Sequence, residues 1–410
     1  MLLINIRQLL QIRESKLEKA LAGKNLAELP ILESAWLKIK KDRIHSFGLM
    51  ADLKTVDDEE IIDAKNRIVM PSFVDSHTHL VFAGSREEEF VMRLHGKSYE
   101  EIAEAGGGIL NSAKKLQSKT EEELFETAKK RLHEVISMGT GAIEIKSGYG
   151  LTVEAEIKML RVIQKLKAYS PIPIKASFLG AHFYPKEYKQ NHEGYISLII
   201  DEMLPIISKE NLADYIDAFC EKVAFSAEET DRIIKAGIKH GLKAKIHTNQ
   251  FNCMGGIEVS VANNAISVDH LEVINQDEID CLKNSNTIAT LLPSAPFFLN
   301  DPYQPAREII DAGIPVALAS DYNPGSTPSG RMSFVLSLAC IKLKMTPEEA
   351  INAATINGAF ALEMQDEMGS ITVGKKANLI ISKEIDSYGF IPYSFGSDQI
   401  EEIIINGKRM

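Results

Sequence analysis

Residues 73–80 read FVDSHTHL, an apolar run that ends in two histidines one residue apart, His77 and His79. On extended backbone, residues i and i+2 point to one face, so the two imidazoles can meet one ion while Thr78 points away. The pair alone carries little weight. With 10 histidines in 410 residues, an HxH arises by chance in roughly one such chain in four. Its meaning depends on what ends the other apolar runs.

Eight such runs are legible: 68–75, 142–146, 174–179, 215–220, 242–246, 265–268, 287–290 and 316–319. Each is followed by a longer segment with helical spacing, the mark of βα units around a parallel sheet, and eight is the number that closes a TIM barrel. Ser226 with Glu229 fits a capping box, and Thr346, Pro347 and Glu349 supply an N-cap, a first-turn proline and a reciprocal acid. An open doubly wound sheet is the alternative, but no GxGxxG follows a first strand. Outside this region both termini alternate apolar and polar, as in AWLKIKKDRI (35–44), and Asn406-Gly407 suits a tight hairpin. The expected fold is therefore α/β: a (β/α)8 barrel over 69–364 and a small composite β-sandwich from 1–68 plus 365–410.

A barrel gathers its chemistry at the C-terminal ends of its strands. His77 and His79 end strand one, His247 ends strand five, His270 ends strand six and Asp321 ends strand eight. Three imidazoles and a carboxylate, His77, His79, His247 and Asp321, suit one zinc or iron ion, divalent or trivalent, with a position left for water. Such a site favours hydrolysis of an amide-like bond. Asp321 can accept the water's proton, and His270, outside the ligand count, can orient the nucleophile or stabilise the oxyanion. Sequence leaves the exchange of these two roles open.

Composition narrows the field. A net charge of -11 disfavours nucleic acid or a membrane surface as general partner. The four cysteines are widely spaced, which fits a reducing cytoplasm rather than a disulfide framework. MLLINIRQLLQIRESK turns charged too soon for a secretory core or a membrane span. The remaining histidines, 45, 95, 133, 192 and 240, read as surface or structural residues.

The flanks of these residues carry a resemblance. SFVDSHTHLVFAGSREEEF, GKSYEEIAEAGGGI, EIKSGYGL, FLGAHFYP and SDYNPGSTP together resemble the imidazolonepropionase family of the amidohydrolase superfamily, over nearly the whole chain. The resemblance implies the same four metal ligands, and hydrolytic ring opening of 4-imidazolone-5-propanoate to N-formimidoyl-L-glutamate. It also implies substrate contacts at Arg86, Tyr99, Tyr149, His182, Gln250, Asn323, Gly325 and Ser326, and a homodimer.

On their own chemistry, Arg86 can hold a propionate carboxylate through two parallel hydrogen bonds, against the alternative of a salt bridge to a neighbouring Glu. Tyr149 and His182 can bond the ring, against packing or capping. Asn323 and Gly325 can bind carboxylates, against plain turn chemistry. Ser326 stands where the family often has threonine and keeps the hydroxyl. Gln250 stands where some relatives have glutamate, and an amide binds without shuttling protons. The run Gly106 to Gly108 lacks the lysine and hydroxyl of a phosphate loop and reads as a loop near the mouth. The competing functions are a deaminase of a cyclic pyrimidine or purine, which needs no carboxylate clamp, and an inactive metal-binding scaffold.

Overall fold

The computed structural model describes residues 1–54, 60–97, 101 and 107–410. At the N-terminus, β1 (Leu2–Leu10) pairs antiparallel with β2 (Ile31–Lys40) and parallel with β4 (Ile61–Pro71), and β3 (Arg43–Leu49) flanks β2. The alternation read in the sequence is kept: Ala35, Leu37 and Ile39 of β2 are buried, and the residues between them are less so.

The barrel follows. Its strands are β5 (Phe73–Asp75), β6 (Thr140–Lys146), β7 (Ile174–Ala181), β8 (Tyr215–Cys220), β9 (Lys243–Thr248), β10 (Ser267–His270), β11 (Ile288–Leu291) and β12 (Val316–Leu318). They pair in chain order, all parallel. Backbone bonds just beyond the strands close the ring: Asp321 N donates to His77 O (3.0 Å) and His79 N to Tyr322 O (2.9 Å). Strands covered on both faces are buried throughout, as β6 is along its whole length, which parallel strands flanked by helices require.

At the C-terminus, β13 (Leu379–Ser382) joins β4 antiparallel and leads to β14 (Ile400–Ile405) and β15 (Lys408–Arg409). Ile44 N donates to Lys375 O and Ala377 N to Asp42 O, each at 2.9 Å, so this sheet folds back on itself. Its inner faces share one buried cluster that includes Leu3, Leu9, Leu37, Ile44, Leu379 and Ile404. That is the composite sandwich. Asn406 and Gly407, at φ +50° and +72°, make the turn between β14 and β15 that the dipeptide predicts. Both expected capping boxes are present, at Ser226/Glu229 and Thr346/Glu349.

One element differs from the reading above. The run 68–75, expected to form the first barrel strand, is divided: 68–71 ends β4 in the terminal sheet, and only Phe73–Asp75 is barrel. Ser72 N bonds Asn378 O in the terminal sheet, and Phe73 N bonds Gly139 O ahead of β6, each at 2.9 Å. The chain changes partners across a single residue while staying extended, and periodicity does not register a change of partner. The terminal sheet accordingly reaches Pro71, beyond the expected division after residue 68. Among the described residues, no helix is long and apolar enough to cross a membrane.

Candidate metal centre and active site

Each strand delivers its side chain by a different local device. His77 and His79 lie on the extended continuation of β5, where Thr78 turns away and donates its hydroxyl to Glu144 O. His247 lies inside β9, one residue before its end, and His270 closes β10. Two of the residues sit on strained backbone: φ is +95° at His270 and +56° at Asp321, a region few L-residues adopt, and one often held at functional sites by the surrounding fold.

The three imidazoles of His77, His79 and His247 offer nitrogens within 4.8 Å of one another. Asp321 Oδ1 stands 3.5 Å from His77 Nε2 and 3.6 Å from His79 Nε2. Behind this cluster lie two carboxylates that the sequence reading missed. His77 Nδ1 meets Asp269 Oδ2 at 2.7 Å, and His247 Nδ1 meets Asp217 Oδ2 at 2.9 Å. A ring whose Nδ1 proton is held by a carboxylate turns a bare Nε2 lone pair the other way.

Among the described residues, His77 Nε2 is buried without a hydrogen-bond partner, and His247 Nε2 faces His79 Nε2 at 3.4 Å. Burial holds the pKa of all three histidines well below the ordinary value, so they are neutral, as metal ligation requires. Converging imidazole nitrogens and a carboxylate fit a cation.

Under the carboxylates lies a buried ionic layer. Lys146 Nζ is 2.8 Å from both Glu144 Oε1 and Asp217 Oδ2, and 3.6 Å from Asp269 Oδ2. The signal that could have found Asp217 and Asp269 was present: YIDAF and SVDH each set an acid into a buried strand, where a carboxylate persists only if paired.

His270 faces the cluster, with ring centroids 5.3 Å from His247 and 5.7 Å from His77. Its Nδ1 stands 3.4 Å from Glu272 Oε1, which Gln304 secures at 2.9 Å. Burial lowers the His270 pKa, but Glu272 with Asp321 and Asp269 outweighs it and brings it to about 8. Burial raises Asp321 to about 6, against the opposing pull of His270.

Above the cluster opens a cavity of about 930 Å³. His79, Arg86, Tyr149, His182, His247, Gln250, His270, Asp321, Asn323, Gly325 and Ser326 all line it. Tyr99 and Gly106 lie outside the described residues. His77 sits behind the wall, fully buried. His182 stacks on His79 at 5.7 Å, and its Nδ1 meets Gly148 O at 3.0 Å. The five histidines read as surface or structural are half-buried or exposed.

Two readings are refined. Arg86 reaches the cavity and also makes the salt bridge set against that role, to Glu89, so the two alternatives coexist. In the turn after Asp321, Asn323 Oδ1 accepts from Gly325 N (2.7 Å) and Ser326 N (2.8 Å), and its Nδ2 donates to Asp321 O and Ser326 Oγ. The amide and the backbone N–H expected to receive a carboxylate are engaged inside their own turn. Arg93, Lys97, Lys189 and Lys222 join Arg86 around the cavity, against Glu89, Asp301 and Asp321 in the same lining, so in a chain of net charge -11 this wall carries more cations than acids, a balance that favours an anionic ligand.

A family profile described as the amidohydrolase family matches residues 68–410. The chain belongs to the amidohydrolase family. Such enzymes are metal-dependent, in keeping with the histidine cluster. Over 99% of each chain it is 58% identical to imidazolonepropionase of Flavobacterium johnsoniae. With imidazolonepropionase of Christiangramia forsetii it shares 55% identity over 100% of this chain and 99% of that one. The resemblance read from the motifs is thus borne out across the whole chain. Among solved structures, 5-methylcytosine deaminase from Klebsiella pneumoniae with bound phosphonocytosine aligns with TM-score 0.75, covering 100% of this chain and 98% of that one. At 18% identity that likeness shows the fold alone.

Proposed function

We propose that the protein hydrolyses 4-imidazolone-5-propanoate to N-formimidoyl-L-glutamate, the ring-opening step of histidine degradation. The observation that carries this reading is the His77, His79, His247 and Asp321 cluster at the floor of a cavity with Arg86 in its wall. Full-length identity to imidazolonepropionases supports it. These four residues would hold one zinc or iron ion. Bound there, such an ion lowers the pKa of a water ligand to about 7 and polarises a carbonyl oxygen.

The chain's own groups supply the rest. Asp321, whose Oδ1 stands 3.5 Å from His77 Nε2 and 3.6 Å from His79 Nε2, accepts the proton of the attacking water. His270, its pKa raised by Glu272, carries a proton on both ring nitrogens: Nδ1–H faces Glu272, and Nε2–H donates to the oxyanion that develops on the ring carbonyl. The ring C–N bond then breaks, and the nitrogen takes the proton from Asp321. Tyr149 and His182 orient the ring, Gln250 binds without exchanging protons, and Arg86 holds the propionate carboxylate. Asn323 acts within its turn: it secures Ser326, whose Oγ lies 3.3 Å from Asp321 Oδ2.

The enzyme would act in the cytoplasm, on a free metabolite, and assemble as a homodimer, the commonest soluble assembly. Incubating the metal-loaded protein with 4-imidazolone-5-propanoate should abolish the ring absorbance and release formimidoylglutamate. Turnover of cytosine or guanine instead would replace this reading with a deaminase. Arg86→Lys should raise KM by about tenfold or more with kcat little changed, because an ammonium cannot reproduce the two-point clamp. Unaltered kinetics would remove Arg86 from the carboxylate site.

A further inference from the structure

Arg86 is the N-cap of the helix Glu87–Leu94, and Glu89 stands at its third position. The i,i+3 spacing puts the two side chains side by side. Glu89 is 5% exposed, and a carboxylate so buried needs its lone pairs filled. Oε2 accepts from Arg86 Nε at 2.9 Å and also from Nη2. Oε1 accepts from the backbone N–H of Gly108 at 2.9 Å. Although burial raises the Glu89 pKa, Arg86 and Gly108 hold it below the ordinary value. One acid therefore ties the first turn of this helix to the residue that opens the helix Ile109–Gln117.

A guanidinium has two edges able to grip a carboxylate in parallel, and Glu89 occupies the Nε/Nη2 edge. Nη1 has no hydrogen-bond acceptor among the described residues and lies against Gly325, where a Cβ would come within 2.4 Å of it. Arg93 Nη2 donates to Gly325 O at 3.2 Å, so two arginines converge beside Gly325, with Glu89 on Arg86 and both Glu89 and Asp301 near Arg93. An unclamped arginine would lose much of its advantage, since a flexible side chain must be ordered when the ligand arrives.

We propose that Glu89 is the positioning residue of the carboxylate site: it grips one edge of Arg86, is itself anchored on Gly108, and so presents the Nη1 side to the substrate's propionate. This rests on Arg86 as the carboxylate contact. Glu89→Gln replaces one acceptor oxygen with an NH2 group, which cannot accept from either Arg86 or Gly108 N–H, so one of the two ties must break. Glu89→Asp keeps the charge but is too short to span both.

The test measures calorimetric affinity of the metal-loaded enzyme for 3-(imidazol-4-yl)propanoate and for its methyl ester, which lacks the anion. In the wild type the acid binds more tightly than the ester. Arg86→Met should reduce that preference to near unity. Glu89→Gln and Glu89→Asp should each lower it by about tenfold while ester affinity stays put, a split that general structural damage would not produce. A preference unchanged in Arg86→Met would defeat the carboxylate reading of Arg86 itself. If Arg86→Met removes the preference but the Glu89 variants keep or increase it, Glu89 is a bystander or a competitor for Arg86, and the positioning role is overturned. Equal loss of acid and ester binding in the Glu89 variants overturns it too.

Discussion

The tautomer of an imidazole is set by what its other nitrogen meets, and here two carboxylates make that choice. Asp269 and Asp217 take the Nδ1 side of His77 and His247. Asp269→Asn should therefore weaken zinc binding by about 10- to 100-fold, as outer-shell changes of this kind do. Competition against a chromophoric chelator measures it, and an unchanged affinity would deny Asp269 a part in the metal site. A second buried residue makes a prediction about pH. Lys375 is fully buried, with Nζ on Met368 O and Ser370 Oγ, and burial lowers its pKa from the ordinary 10.5 to about 8. Between those two values the unfolded chain holds a proton that the fold has released, so the contribution of Lys375 makes stability rise with pH across that window. The thermal midpoint of the wild type should accordingly gain on that of Lys375→Met as pH goes from 8 toward 10. Parallel curves would contradict the burial argument.

Among elements, the helix Ala227–Lys239 shows how closely a barrel helix lies on its strand. Gly237 is buried within that helix, where Ala would ordinarily stabilise by up to about 1 kcal/mol. Here an added Cβ would fall 2.7 Å from Ile216 Cβ on β8, and Ile216 is fully buried. The steric term should win. Gly237→Ala is expected to destabilise by about 1–3 kcal/mol, read from the urea midpoint, and a gain in stability would mean that the helix can move off the strand at little cost. The same closeness carries function, because the loop after β8 and the loop after β9 both reach the cavity, through Lys222 and Gln250.

For the whole molecule, the proposed metal ligands come from both sides of the barrel's closing seam. His77 and His79 follow the first strand, Asp321 follows the eighth, and the backbone bonds between them complete the ring. An ion shared by both sides should hold that seam together as well as serve chemistry. Stripping the metal should lower the thermal midpoint, and zinc should restore it by an amount that grows with the logarithm of its free concentration. A midpoint indifferent to metal would mean that the backbone bonds alone carry the closure.

How much of this was legible in the chain itself divides along physical lines. The eight apolar runs, the capping boxes and the Asn406-Gly407 turn rest on local periodicity and local hydrogen bonding, so they could be read without a fold. His77, His79, His247, His270 and Asp321 could be chosen as well, because a barrel collects strand ends and each of these residues marks one. The rest depends on which distant groups share a neighbour. The 68–75 run continues unbroken in sequence although its partners change at Ser72. Asp217 and Asp269 each stand in a buried run that calls for a partner, but only the parallel register sets them behind two imidazoles. Arg86 and Glu89 are three residues apart in every conformation, but only the packed structure put Gly108 on one side of the pair and Gly325 on the other. Local rules decided the elements and the candidates for the reactive groups; the tertiary structure decided which lone pair and which edge each of them presents.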